Sequence, residues 1–154
     1  MNGIERLEYQ FGNEHSPTQR HGRVVLTLAA PDSLSVYNIG RRGERRWHAA
    51  VDGSLWSPLE NALREAGFPA VPRQSLLPAG SAIRELTVVG DPCGRAGLPW
   101  HAALDLPGYA TVFAILDNLL EQATEGSLPC EARVRCPGPQ PVWVIPTSIC
   151  TGSA

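Results

Sequence analysis

Apolar and polar residues alternate along the first third of the chain, which is the pattern of β-strands that bury one face. The alternating apolar positions of the first two predicted strands are Leu7, Tyr9, Phe11, Val24, Leu26 and Leu28. Two further strands are expected over residues 34–39 and 46–51, with a turn over 40–43 between them. Four consecutive strands joined by short connections predict an antiparallel meander.

The apolar period then changes from that of a strand to that of a helix. A proline and a glutamate follow Ser57 with the spacing of a helix N-terminus that is capped by a serine. The apolar stripe of this helix is Leu55, Leu59, Ala62, Leu63 and Ala66. Gly67 is expected to end the helix in a left-handed conformation, and Pro69 prevents its continuation.

Two more strands and a second helix are predicted after a proline-rich connection over residues 70–81. The strands are expected over 82–89 and 98–104, and the glycines and proline of 90–97 predict a turn between them. The second helix is expected over Tyr109–Thr124, with an apolar stripe at helical spacing. The polar positions that we expect opposite this stripe are Asp117, Asn118, Glu121 and Gln122.

The end of the chain contains a short apolar stretch at 142–145, for which we expect a final hairpin or edge strand. The elements together predict an α+β fold with a single domain, in which two helices pack on one face of an antiparallel sheet of about six strands. We expect residues 1–126 to form the core domain. Residues 127–154 would be a C-terminal extension of short strands and a loose tail.

The composition fits one domain with a real core, since 43% of the 154 residues are apolar and 18% are charged. All 13 cationic residues are arginine, so mechanisms that need a lysine amine are excluded. The net charge of −2 gives no general attraction to nucleic acid or to an anionic membrane. With no signal-peptide pattern and no long apolar run, we expect a cytoplasmic protein.

The four cysteines, Cys93, Cys130, Cys136 and Cys150, form no Cys-x-x-Cys pair, so the usual zinc and redox spacings are absent. Cys130 and Cys136 are close enough in sequence to pair across a tight loop. Because thiols stay reduced in the cytoplasm, buried free thiols are the favoured interpretation.

A metal site is the main chemical alternative to a binding role. Glu14, His15 and His21 share one predicted loop, and His48 approaches from a neighbouring strand. Carboxylate and imidazole ligands suit zinc, but none of these residues has the helical or tight-loop spacing of a ligand pair. We therefore expect no cofactor, and a small metal-binding protein or hydrolase that uses the loop histidines remains the alternative.

The densest charge lies at residues 41–46, which contain four arginines directly before a tryptophan. Guanidinium groups bind carboxylate or phosphate in a bidentate manner and stack on aromatic rings. A solvated hairpin rich in arginine, in a chain without lysine, explains the same residues. We expect an acidic protein partner rather than nucleic acid or a membrane, bound by the four arginines and by a tryptophan beside the first helix. These residues are Arg41, Arg42, Arg45, Arg46 and Trp56.

The order of strands and helices over residues 22–124 resembles small bacterial inhibitor proteins of the emfourin type, which bind thermolysin-like proteases. The resemblance lies in the strand over 46–52, the helix that ends Leu63-Arg64-Glu65-Ala66-Gly67-Phe68-Pro69, the strand over 83–89 and the closing helix. The family's N-terminal Gly-Gly-Phe stretch is absent, so no functional residue is carried over. In size and in its lack of catalytic motifs, the chain also resembles the immunity proteins that bacteria pair with secreted toxins. These resemblances imply a non-enzymatic protein that neutralises a toxin or a protease.

Overall fold

One antiparallel sheet organises the protein, in a computed structural model that describes residues 3–12, 22–40, 43–71, 83–99, 105–125 and 143–145. Its strands are β1 (Ile4–Phe11), β2 (Arg23–Ala29), β3 (Ser33–Gly40), β4 (Gly43–Val51), β5 (Ile83–Gly90), β6 (Gly94–Pro99) and β7 (Val144–Ile145). The strand order across the sheet is β6-β5-β1-β2-β3-β4-β7. The predicted α+β class and the meander of the first four strands are confirmed, but the described part of the sheet has seven strands instead of about six.

Two helices, α1 (Trp56–Ala66) and α2 (Tyr109–Thr124), pack against each other, and α2 also contacts β3, β4 and β7. Their buried residues join the buried strand residues in one hydrophobic core. The alternation in the sequence produces this core directly. In β2, Val24, Leu26 and Leu28 are buried, while the residues between them are only partly buried.

The register stacks these buried positions across neighbouring strands. Leu7 of β1 lies opposite Leu28 on one side and Val88 on the other. Such cross-strand apolar pairs stabilise the sheet and fix the face that each strand turns to the core.

The N-terminus of α1 differs from the prediction, because Ser57 does not cap it. The helix follows a 3-10 turn (Gly53–Leu55), and the cap of that turn is Asp52, whose carboxylate accepts the backbone N–H of Ser54 at 2.9 Å. Capping one turn earlier places Ser57 inside the helix. This backbone hydrogen bond holds the pKa of Asp52 below its usual value. The C-terminus is as predicted, since Gly67 adopts a left-handed conformation with φ of 77°.

The predicted turn over 90–97 is too long, because β6 already begins at Gly94. The glycine at this position reflects close packing, since a Cβ atom there would lie 2.7 Å from the Pro69 side chain. The turn is confined to residues 91–93, and residues 100–104 of the predicted strand lie outside the described residues. Cys93 in this turn is a free, exposed thiol, so the expectation of burial is wrong for it; the other three cysteines also lie outside the described residues.

The largest departure from the sequence-based prediction concerns the polar residues of α2. Asp117 and Asn118, predicted on an exposed face, are buried. Asp117 accepts a hydrogen bond from Arg84 at 3.0 Å, and neither side chain has any exposed surface. The Tyr9 hydroxyl donates to the other carboxylate oxygen at 2.9 Å and accepts from Arg84 at 2.6 Å. The prediction was wrong because the central turns of α2 are enclosed on all sides.

The C-terminal part of the chain adds the edge strand that was expected near residues 142–145. β7 pairs with Ala50 and Val51 at the end of β4. The side-chain oxygen of Gln122, on α2, accepts the backbone N–H groups of Trp143 at 2.9 Å and Val144 at 3.0 Å. The predicted domain boundary at 126/127 lies outside the described residues.

Removing one charge of the buried ion pair should destabilise the whole fold. We expect Asp117→Asn, which keeps the shape but leaves the Arg84 charge uncompensated, to lower the free energy of unfolding by about 3–5 kcal/mol in urea denaturation. The triple variant Tyr9→Phe, Arg84→Met, Asp117→Leu should recover most of this loss. A triple variant as unstable as the single one would contradict a specific ionic origin.

Removing the side-chain acceptor of Gln122 should loosen β7 alone. In Gln122→Ala, we expect amide hydrogen exchange at Trp143 and Val144 to become about fivefold faster or more, because each amide loses a hydrogen bond worth about 1 kcal/mol. Gln122→Glu keeps an acceptor oxygen in place and should leave the exchange nearly unchanged. Equal acceleration in both variants would show that the side-chain acceptor is not what holds β7.

Candidate functional site

The sheet has a second face, here called the open face, formed by the strand positions that alternate with the core residues. Three strands of the meander, β2, β3 and β4, supply the part of this face that we consider. Its residues are Arg23, Val25, Thr27 and Ala29 (β2), Ser33, Ser35, Tyr37 and Ile39 (β3), and Glu44, Arg46, His48 and Ala50 (β4). Each of these residues is exposed or half-buried. The open face is therefore a broad surface of the described fold, where side chains held in place by the sheet are accessible to solvent.

Arg45 and Arg46 project from opposite faces of β4, because successive residues of a strand alternate. Arg45 lies on the helix side, with its guanidinium 5.1 Å from the centre of the Trp47 ring. It also donates a 3.2 Å hydrogen bond to Asn38, whose amide in turn donates to the backbone carbonyl of Arg23 at 3.0 Å. These contacts fix the orientation of Arg45 at the end of the sheet.

Arg46 lies on the open face, with its guanidinium 4.5 Å from the centre of the Tyr37 ring. The two residues are direct cross-strand partners in the β3–β4 register, and Glu44 lies diagonally opposite Tyr37. We call Arg23, Tyr37, Glu44 and Arg46 the Tyr37 cluster. Cation–π contact holds the Arg46 side chain against a half-buried ring, so its charged group is presented in a defined position.

The Tyr37 phenol stays neutral at physiological pH. Its pKa lies above the usual value because partial burial disfavours the phenolate and because Glu44 is both its hydrogen-bond partner and a nearby negative charge. The positive charges of Arg46 and Arg23 act in the opposite direction but do not reverse the shift. Tyr37 is therefore a hydrogen-bond donor within a ring of charged groups.

Charge is separated along the strands, although the net charge of the chain is only −2. The exposed arginines Arg23, Arg45 and Arg46 lie at the end of the sheet where β3 finishes and β4 begins. In the sequence, Arg41 and Arg42 form the connection between these two strands. We call this the arginine-rich end.

The opposite end of the strands carries mainly negative charge. Its exposed carboxylates are Glu5, Asp32, Asp52 and Asp91, and the exposed Arg6 lies beside them. The eight residues of β3 separate the two ends by about 23 Å, at about 3.3 Å per residue.

The structure does not bring all the predicted partner-binding residues together. Trp56 begins α1, and its indole N–H donates to the Pro31 carbonyl at 2.7 Å. Pro31 lies in the β2–β3 turn, at the carboxylate end, so Trp56 and Arg46 lie at opposite ends of β3. Arg41 and Arg42 fall outside the described residues.

Of the four candidate metal ligands, His48 is the one that lies within the described residues. It is exposed on the open face, opposite Ser35. Glu14, His15 and His21 fall outside the described residues. Within the described ranges, no group of three or more histidine, cysteine, aspartate and glutamate side chains could hold a metal ion. In the same part of the chain, neither helix is long and apolar enough to cross a membrane.

Sequence reasoning missed the stacking of Arg46 on Tyr37 because it began the fourth strand at Arg46 and left Glu44 and Arg45 outside both strands. It assigned residues 40–43 to the turn, whereas β3 and β4 extend to Gly40 and Gly43, which pair with each other. A two-residue connection fixes the register of a hairpin. Extending the fourth strand back to Gly43 would have shown that Tyr37 faces Arg46.

Comparison with known protein families matches none of them to this chain, and no curated protein sequence matches it. The functional interpretation therefore depends on the residues and geometry of the open face.

Neutralising Glu44 should lower the pKa of Tyr37 toward its usual value. In Glu44→Gln, we expect the phenol to titrate at lower pH, while the shift caused by burial remains. The measurement is the pH dependence of the Tyr37 ring NMR signal, assigned with Tyr37→Phe. Because the folded-state pKa is raised, Tyr37 contributes stability below about pH 10 that is lost at higher pH. An unchanged titration in Glu44→Gln would contradict the contact between Glu44 and Tyr37.

Proposed function

We propose that this protein is a non-enzymatic binding protein that inhibits or neutralises a partner protein with an acidic patch. The observation that carries the proposal is the arginine-rich end, where Arg45 and Arg46 are each held against an aromatic ring. The partner would cover this end of the sheet and the adjoining part of the open face.

The stacking of these arginines favours recognition of carboxylates. A guanidinium group presents a planar set of donors that fits a carboxylate in a bidentate manner. A ring that already holds the side chain reduces the conformational entropy that is lost when a partner binds. Arginine is also among the residues that most often dominate the energy of an interface.

The open face supplies a large part of the area that a specific interface needs. The six strands from β6 to β4, at about 4.8 Å spacing, span about 24 Å, and their length of about 20 Å gives a flat area of about 500 Å². A typical protein–protein interface buries about 800 Å² on each partner. The described open face alone therefore supplies more than half of that area.

The resemblance to emfourin-type inhibitors motivates a particular class of partner. The order β3-β4-α1-β5-β6-α2 follows the layout on which that resemblance rests, and β2 is an additional strand before it within residues 22–124. We propose that the partner is a secreted toxin or a protease, and that the protein blocks it by occlusion. No residue of the protein needs to react with the partner in this mechanism.

The proposal predicts a complex that depends on Arg46. The protein is mixed with the product of the adjacent reading frame in its genome, and complex formation and inhibition of that product are measured by light scattering and by an activity assay. We expect Arg46→Gln to weaken binding about tenfold or more, because a stacked arginine that the partner would cover is replaced.

Arg64→Gln is the matched control, since Arg64 is exposed on α1, away from the arginine-rich end. It should leave binding and inhibition unchanged. The proposal is wrong if no complex forms, or if the two variants lose affinity equally. Tight binding of an RNA oligonucleotide with a steep salt dependence, in place of a protein complex, would assign the arginines to phosphate recognition instead.

A further inference from the structure

The Tyr37 cluster contains a carboxylate of its own, and this sets it apart from the other arginines of the surface. Glu44 and Arg46 lie on the same face of β4, two residues apart, with Tyr37 opposite them on β3. Arg23 on β2 is the direct cross-strand partner of Ile39, which in turn faces Glu44. One acidic group is therefore bordered by two guanidinium side chains and a phenol.

The groups of the cluster are accessible to a ligand. Arg23, Glu44 and Arg46 are exposed, and only Tyr37 is half-buried. The ring of Tyr37 supports the Arg46 guanidinium at 4.5 Å. The contact with Glu44 thus occurs at the surface, where an incoming group could replace it without any change in the core.

The donors of the cluster match a carboxylate in chemistry. The two guanidinium groups and the phenol hydroxyl all donate hydrogen bonds, and the phenol already has the Glu44 carboxylate as its acceptor. An aspartate or glutamate side chain of another protein offers the same oxygen atoms and the same charge. It would therefore compete with Glu44 for the Tyr37 phenol.

We propose that the Tyr37 cluster is a carboxylate-binding site in which Glu44 takes the place of an acidic side chain of the partner when the protein is alone. The inference refines the proposed function by naming the residue type that the partner supplies. Glu44 weakens the binding of every carboxylate ligand by repulsion. A single carboxylate gains too little to displace it, whereas a segment with several acidic residues gains enough from the neighbouring arginines.

The test uses the full chain and a hexaglutamate peptide with blocked ends as the probe, followed by NMR at low ionic strength. We expect signals of the Tyr37 cluster to shift on addition of the peptide. Glu44→Gln should bind the peptide about threefold more tightly, the scale of an exposed charge pair. Arg46→Gln should bind it more weakly by a similar factor. Tyr37→Phe keeps the stacked ring, so it should retain binding better than Tyr37→Leu.

Two matched variants separate the site from a general charge effect. Glu65→Gln makes the same change in net charge on α1, where Glu65 is exposed, and should leave the affinity unchanged. Arg64→Gln is the corresponding control for Arg46→Gln. The inference is overturned if Glu44→Gln binds no better than the unaltered protein, or if either control reproduces the effect of its counterpart.

The result of the peptide experiment is independent of the result of the experiment with the partner protein. If the peptide binds as expected but no complex forms with the neighbouring gene product, the site stands and the proposed function fails. If a complex forms that depends on Arg46 while Glu44→Gln leaves peptide binding unaltered, the proposed function stands and the role of Glu44 is wrong. Shifts produced equally by inorganic phosphate would show a general anion site and would also overturn the inference.

Discussion

The ion pair between Arg84 and Asp117 is the interaction on which the arrangement of the sheet and the helices depends. Two opposite charges without any exposed surface are tolerated only when each finds its partner with good geometry, and Tyr9 completes the hydrogen bonding of both. This requirement ties the middle of α2 to the side chains of Tyr9 on β1 and Arg84 on β5. A shift of α2 by a single residue would separate the charges, so the pair selects one packing of the helix among the many that its apolar surface alone would permit.

Because the core occupies one side of the sheet, the chemistry of the surface follows from the alternation of residues along each strand. Arg45 and Arg46 are neighbours in sequence, yet one is tied to Asn38 and Trp47 on the helix side and the other lies on Tyr37 on the open face. The run of arginines is thus two separate features. The contacts of each arginine are set by the side chains that the β3–β4 register places beside it.

Most of the fold could be predicted from local patterns, whereas the interactions between distant residues could not. Alternation revealed the strands of the meander, and Gly67 marked the end of α1 correctly. The cap at Asp52 was missed because Ser57 offered an equally good local signal. The burial of Asp117 was missed because its partner, Arg84, lies 33 residues away on β5. The local sequence around either residue does not indicate the pairing. The same limit applied to the Tyr37 cluster, which depends on the register of β3 with both β2 and β4.

The separation of charge along the strands also affects how the protein would approach a charged partner. Among the described residues, Arg23, Arg45 and Arg46 outweigh Glu44 at one end, and four carboxylates outweigh Arg6 about 23 Å away at the other. These residues therefore give the sheet a charge asymmetry that the small net charge conceals. In the field of an acidic surface, a protein with this asymmetry experiences a torque that turns the arginine-rich end forward before contact. If the proposed acidic partner exists, its encounters with this protein would be oriented as well as attracted, and salt would slow association far more than it would speed dissociation.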